Sequence, residues 1–432
     1  VARKLAHDVA GDPVALDGAP HIHLESSDGS GPRIGLALAG GGPLGAIYEI
    51  GALCALEEAL PNLAFTHLQG YVGVSAGSFI AAGLANGLTP RELCAAFIEN
   101  DDRAGDLFRP SLLMRPAWGE YLRRAAALPR LATQALWHFV FGRRSLLEAF
   151  ERLGRALPTG LLSGAAMERQ MARLFAAPGR TNDFRQLRRK LVLVATDLDS
   201  GEALPFGQPG LDDVPISLAV QASAALPGLY APVSIRGRTC VDGALKKTLH
   251  ASVLLDEGLD LLLCVNPLVP FDATHTARHK VLGSNEARIP HLVDGGLPTV
   301  LSQTFRTLIH SRLELGMKGY ADSHPATDIV LIEPDQRDAE MFLANTFSIS
   351  TRRLLAEHAY QRTRELLRKR RSTLGAQLAR HGITVDHAVL DDLQRRLVGK
   401  ARAPRTRTAR ALKRLDETLA DLESVAALAQ PR

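Results

Sequence analysis

Ile34-Gly35-Leu36-Ala37-Leu38-Ala39-Gly40-Gly41-Gly42-Pro43-Leu44-Gly45 is the stretch on which the fold turns. An apolar run of strand length ends in a glycine cluster, and a helical pattern from Ala46 to Leu60 follows at once. A strand passing through a tight turn into a helix is the opening of a parallel α/β unit, because the helix carries the chain back across the sheet. Glycines let backbone amides converge without side-chain obstruction, and the helix dipole adds positive potential there. That suits an anion, either a phosphate or a transient oxyanion. A dinucleotide would need an acidic residue about 20 positions on, at the end of the second strand. Glu57 and Glu58 come too early and lie in the helix, so that reading fails.

The second strand runs instead into Gly73-Val74-Ser75-Ala76-Gly77, and a small-residue helix, Ala76–Asn86, follows. A G-x-S-x-G between strand and helix is the signature of a nucleophile elbow: flanking glycines permit the strained turn, and the serine is pushed out at a helix N-terminus. Thr89, Pro90 and Glu92 spell a capping box that opens a helix to about Glu99. Strand patterns resume at Lys190–Thr196, Ala203–Phe206, Ala231–Ile235, Thr239–Val241 and Leu261–Val265. A last one falls at Asp328–Glu333, after a long helix from about Leu292 to Tyr320. The alternation predicts a mostly parallel sheet covered on both faces. Residues 1–31 read as a loose tail. Residues 101–178 read as a helical insertion rich in Arg and aromatics (Trp118, Tyr121, Trp137, Phe139, Phe141), suited to a cap or to a lipid interface. Residues 334–432 read as a basic helical extension.

The 432 residues are 46% hydrophobic and 22% charged, which excludes bulk disorder. Cys54, Cys94, Cys240 and Cys264 form no Cys-x-x-Cys pair, which excludes a disulfide scaffold and a thiolate zinc site. No run reaches the ~18–20 apolar residues of a membrane span, and the N-terminal segment has no apolar core of a signal peptide. A cytoplasmic protein, peripheral at a membrane, is the expectation. The net charge of +5 is clustered. Arg362, Arg364, Arg368, Lys369, Arg370 and Arg371 form one run, and Lys400, Arg402, Arg405, Arg407, Arg410, Lys413 and Arg414 a second. They suit solvated helix faces or an anionic lipid surface. Nucleic acid is not expected, since no aromatics interleave them. Leu412, Leu415, Leu419, Leu422 and Ala426 predict a buried seam, within the chain or between subunits of a homo-oligomer.

Asp242-Gly243-Ala244 closes the strand Thr239–Val241. An Asp-Gly step is usually just a turn. A Ser-His-Asp esterase would need a histidine after its acid; His250, His275, His279, His291, His310, His324 and His358 all follow, and no pattern singles one out.

Together the glycine cluster, the G-x-S-x-G about thirty residues later and the distant Asp-Gly-Ala resemble the patatin-like phospholipase family. Ala195–Glu202 and the run Ala222-Ser223-Ala224-Ala225-Leu226-Pro227, continuing to Pro232, are similar to further blocks of that family, over about Arg33 to Glu333. The resemblance implies an α/β three-layer patatin-type sandwich over residues 32–333, with no cofactor and no metal. It implies Ser75 as nucleophile and Asp242 as general base in a dyad without histidine. Gly41, Gly42 and Leu44 become the oxyanion donors, since Pro43 has no N–H. The implied substrate is a lipid ester, cleaved in phospholipase A or lysophospholipase fashion. The family commonly has Arg or Lys where this chain has Leu44, which bears on contact with a phosphate headgroup. The alternatives are the Ser-His-Asp carboxylesterase and a weakly active lipid-binding scaffold.

Overall fold

The computed structural model describes residues 31–99, 115–141, 157–274, 291–343 and 349–399. The first part of the chain gives β1 (Ile34–Leu38), α1 (Gly42–Ala59), β2 (Gly70–Val74), α2 (Ala76–Ala85) and α3 (Pro90–Cys94). After α4 (Trp118–Phe141) come β3 (Gly160–Leu162), α5 (Ala165–Phe175), β4 (Lys190–Asp197), β5 (Ala203–Phe206) and α6 (Ile216–Ser223). Then follow β6 (Gly228–Tyr230), β7 (Val233–Ile235), β8 (Arg238–Asp242), α7 (Ser252–Leu255), β9 (Leu261–Val265), α8 (Gly296–Ser323) and β10 (Asp328–Ile332). Helices α9 (Ala339–Leu343) and α10 (Ile349–Lys369) complete the elements used below.

The main sheet has the order β10-β9-β1-β2-β4-β8-β7, with β5 also on β4. From β10 to β4 all neighbours are parallel, whereas β8 runs antiparallel to β4 and β7 antiparallel to β8. Side chains of a strand alternate between faces, and both faces here are apolar. Leu36, Leu38, Tyr71, Leu193, Leu261 and Leu263 enter one core. Ala37, Ala39, Val72, Val74, Val192, Val194, Leu262 and Cys264 enter a second. Burial on both faces explains why these strands read as unbroken apolar runs.

Helices α1, α2 and α10 belong to the first core, and α7 with Ile309 and Leu313 of α8 to the second, which makes three layers. On α1, a Cβ at Gly51 would lie 2.5 Å from the Ala356 carbonyl oxygen, so α10 packs against α1 at backbone distance. The capping box forms as expected: Thr89 Oγ1 accepts from the Glu92 amide at 3.2 Å, and the Glu92 carboxylate accepts from the Thr89 amide at 2.8 Å.

Two elements differ from expectation. The α1 helix begins at Gly42 rather than Ala46, because the first turn of a helix needs no backbone donors and so tolerates Gly and Pro. The Ala231–Ile235 strand is shorter, and Gly228–Tyr230 pairs instead with β3 in a separate two-stranded sheet.

The first basic run is largely engaged. Arg364 is buried and donates to the carbonyls of Val389, Leu390 and Asp392. Arg362 and Lys369 pair with Glu365, Arg371 with Asp391, and Arg368 donates to the Leu390 carbonyl. The second basic run and the leucine seam lie outside the described residues. No helix among the described residues is long and apolar enough to cross a membrane.

Candidate active site

Sheet register brings Ser75 and Asp242 together. Val74 pairs with Val194, so the next residue, Ser75, is level with Ala195, and Ala195 pairs with Asp242. The two side chains therefore sit at one level on β2 and β8, with only β4 between them. Both are buried, Ser75 at 6% exposed and Asp242 at 3%.

Ser75 occupies φ 52°, ψ −119°, a region that costs a non-glycine residue of order 1–3 kcal/mol and is held only by its surroundings. Those surroundings are specific. The Ser75 amide donates to Ser223 Oγ at 2.9 Å, and the Ser223 hydroxyl donates to the Val194 carbonyl at 2.6 Å. Two residues on, the Ala225 carbonyl accepts from the Asp242 amide at 3.0 Å. The end of α6 thus holds the backbones of both residues. The Gly77 amide donates to the Ala39 carbonyl at 3.1 Å, and a Cβ there would lie 2.5 Å from the Leu38 carbonyl oxygen. Only glycine allows α2 to start so close to the end of β1.

Asp242 accepts a hydrogen bond from the Ala244 amide at 2.9 Å, across the turn Gly243–Leu245. Burial pushes its carboxyl up to about 6, against the lowering influence of hydrogen bonds from the Ser75 hydroxyl and the Ala244 amide. A carboxylate that titrates near 6 and touches a serine hydroxyl is a usable proton acceptor at neutral pH.

The glycine loop lies opposite. Gly40 backs onto Ser75, where a Cβ would meet that of Ser75 at 3.0 Å. Gly45 is the first residue of this turn whose amide donates back, to the Gly41 carbonyl at 2.9 Å. The amides before it, on Gly41, Gly42 and Leu44, are the orphan donors of a helix N-terminus. The Ala76 amide, at the N-terminus of α2, is a further orphan donor beside Ser75. The sequence pointed to Ala76 as part of the elbow but not to its amide as a donor.

These residues open on a cavity of about 560 Å³, within the range of small-molecule sites. Of the residues singled out in the sequence, Gly41, Gly42, Pro43, Ser75, Ala76, Asp242 and Ala244 line it. Gly40, Gly45, Gly73, Val74, Gly77 and Gly243 shape the turns behind it, and Leu44 packs against the first core. The rest of the wall is mainly apolar. Ile47 and Ile50 of α1, Phe79, Phe97 and Ile98 run inward from the glycine loop. Leu161, Leu229, Leu297, Leu301 and Phe305 line it too and are exposed. Trp118 of the insertion is exposed and meets Tyr121 edge-on at 5.8 Å.

Sequence reasoning missed two cations of the wall, Arg306 and Arg352. Each lies in a helix without a local motif, so no sequence signal pointed to them. No histidine among the described residues lines the cavity. The nearest in sequence to the acid, His250, has Nε2 at 3.3 Å from the Gly243 carbonyl oxygen, and burial holds its pKa down at about 4. His275 and His279 lie outside the described residues. No group of three or more His, Cys, Asp or Glu among the described residues is placed to hold a metal ion.

Fold and family agree on the class, a lipid acyl hydrolase built on a three-layer α/β sandwich. A family model described as patatin-like phospholipase matches residues 36–255, and the chain belongs to that family. Among solved structures, VipD from Legionella pneumophila is similar at 15% identity and a TM-score of 0.35, over 78% of this chain and 67% of its own. ExoU of Pseudomonas aeruginosa, solved with SpcU, is similar at 17% identity and a TM-score of 0.28, over 79% of this chain. Human GIVD cytosolic phospholipase A2, solved with a fluorophosphonate, is similar at 14% identity and a TM-score of 0.28, over 81% of this chain and 60% of its own. The chain spans about half the length of the ExoU structure, 53%.

Proposed function

We propose that the protein hydrolyses carboxylic esters of lipids through Ser75 and Asp242, without a histidine. One observation carries this reading: a strained, buried serine and a carboxylate with a raised pKa meet at the wall of a largely apolar cavity. Ser75 Oγ attacks the ester carbonyl carbon as its proton passes to Asp242. The amides of Gly41, Gly42, Leu44 and Ala76 are donors for the oxyanion that forms. The C–O bond to the alcohol breaks, the alcohol leaves with the proton from Asp242, and Ser75 keeps the acyl group. Water then gives a proton to Asp242 and attacks the acyl carbon; the bond to Ser75 Oγ breaks, Oγ takes the proton back from Asp242, and the fatty acid leaves. The acyl chain lies along Ile47, Ile50 and Phe97.

The exposed apolar rim of Leu161, Leu229, Leu297, Leu301 and Phe305 suits a lipid surface better than the first basic run does, since most of that run is paired within the chain. A phospholipase A or lysophospholipase specificity is the finer form of this reading.

A fluorophosphonate probe is the direct test. It is expected to label the purified protein at Ser75, and Ser75→Ala is expected to remove the label. Equal labelling of the variant would refute the assignment. The pH profile tests the base. Because Asp242 works only when ionised, kcat/KM for a soluble ester should rise about tenfold per pH unit up to a midpoint near 6 and then level off. A midpoint near 4 would mean that the acting carboxylate is not the buried one.

A further inference from the structure

Among the described residues the cavity wall carries a single carboxylate, Asp242, and two arginines, Arg306 and Arg352; Arg306 also lines a smaller pocket beside it, with Val269, Asp335, Asp338 and Phe342. Arg352 is sealed in. It is 4% exposed, its Nη1 donates to the Phe97 carbonyl at 2.8 Å, and its Nε and Nη2 have no hydrogen-bond partner among the described residues. Arg306 is partly exposed and differently placed. Its Nη1 donates to the Val269 carbonyl at 3.2 Å, and its guanidinium lies over the Phe342 ring at 5.1 Å. Among the described residues no carboxylate lies within ion-pairing distance of it.

Two contacts fix where this cation sits. Val269, which anchors it, is two residues from Pro267, and Pro267 abuts the glycine loop: a Cβ at Gly41 or Gly45 would lie 2.8 or 3.0 Å from its Cγ. On the other side α8 is tied to the loop after Asp242, through Thr248 Oγ1 to the Ile309 carbonyl at 3.0 Å and Arg312 to the Leu245 carbonyl at 2.7 Å. Along α8, then, Arg306 stands between the exposed rim residues Leu301 and Phe305 and the inner residue Ile309, beside the glycine loop.

A partly desolvated guanidinium without a counter-ion is unfavourable, and burial indeed lowers the pKa of Arg306 to about 10. Packing α8 on the loop after β9 would need only an apolar side chain. Arg306 does not serve as counter-charge to the base either, since burial, Ser75 and Ala244 set the Asp242 carboxyl without it. Among the described residues nothing supplies the anion that would offset it, and a bound anion would do so.

We propose that Arg306 is a specificity-determining residue that binds the phosphate of a lipid substrate attached close to the scissile ester. The proposal rests on the reading of Ser75 and Asp242 above. A guanidinium matches a phosphate by paired N–H donors, and its place between rim and glycine loop is where a headgroup lies once the acyl chain has entered.

The test compares two esters with the same acyl chain in mixed micelles, palmitoyl lysophosphatidylglycerol and monopalmitoylglycerol, using the purified full chain. Arg306→Gln is expected to lower the ratio of kcat/KM, phosphate-bearing over neutral, at least thirtyfold and through KM. Arg306→Lys should restore part of it. An unchanged ratio, whether both activities fall or neither does, overturns the proposal and leaves Arg306 a structural tie.

A binding arm separates this from the reaction itself. In the Ser75→Ala background, the non-hydrolysable ether analogue of the lysolipid should bind at least tenfold more weakly to the Arg306→Gln protein. Its neutral ether counterpart should show a smaller change. That outcome supports Arg306 even if Ser75 proves not to be the nucleophile. Inorganic phosphate, run alongside, should bind the parent far more weakly than the ether lysolipid; equal affinity would assign Arg306 to free phosphate and overturn the lipid headgroup.

Discussion

Asp242→Asn is expected to lower ester turnover by about a thousandfold, in the range that positioned proton transfer supplies, and to leave the protein no less stable at pH 8. The second half follows from the position of the group. Its carboxyl titrates near 6 when folded, against an ordinary value of 3.8. Between those values the folded state binds more protons than the unfolded one, so stability falls as pH rises through this window. Above it the buried carboxylate costs up to about 3 kcal/mol, taking each pKa unit as 1.36 kcal/mol. Asparagine keeps an acceptor for the Ala244 amide and the Ser75 hydroxyl but carries no charge. The unfolding temperature at pH 8 should therefore hold or rise, while at pH 4 the variant and parent converge. Replacing His250, His310 or His358 singly should cost less than about tenfold in rate, roughly 1.4 kcal/mol. A folded histidine variant as inactive as Ser75→Ala would restore the triad reading, and substantial activity in Asp242→Asn would remove the dyad.

Much of this site was legible because its parts are local. A serine on a strand-to-helix turn needs small neighbours in fixed positions, and Gly73 and Gly77 write that need into the sequence. The strand Leu261–Val265 was found at its observed bounds, since burial on both faces leaves it no polar alternation to confuse the reading. Ala203–Phe206 was found at its bounds too, although only Leu204 and Phe206 of it are buried. The Ala222–Pro232 block was visible only as a resemblance. Its physical work, Ser223 on the Ser75 amide and Ala225 on that of Asp242, joins residues far apart in the chain. The small β3–β6 sheet escaped because three-residue strands with exposed positions carry little periodic signal. Arg306 and Arg352 escaped for the opposite reason. Helical arginines are common, and nothing local tells a solvated one from one that folds into a cavity wall.

The glycines themselves, read in the sequence as one signal, divide physically, and this gives the second large effect. Gly77→Ala is expected to cost about 3 kcal/mol or more, at the upper end of what overpacking costs. The added methyl would lie 2.5 and 2.6 Å from the Leu38 and Ala39 carbonyl oxygens, which are backbone atoms of a central strand and its exit. They cannot swing aside as a side chain can. Relief requires α2 to back away, which breaks the Gly77–Ala39 hydrogen bond and lets Ser75 relax from its strained angles. At about 2–4 °C per kcal/mol for a domain of this kind, the unfolding temperature should fall by roughly 10 °C, and fluorophosphonate labelling should be lost with it. Gly42→Ala offers the contrast. Its φ is 59°, but a Cβ there meets nothing within 4 Å, so the cost is the left-handed strain alone, about 1–2 kcal/mol. That variant should fold, label at Ser75 and lose only a few degrees. Thermal unfolding of the two proteins side by side decides the matter. If Gly77→Ala is as stable and as reactive as the parent, the close approach of α2 to β1 does not hold Ser75 in its strained turn. If Gly42→Ala is the worse of the two, the glycine loop, rather than the serine turn, is the sterically constrained element of the site.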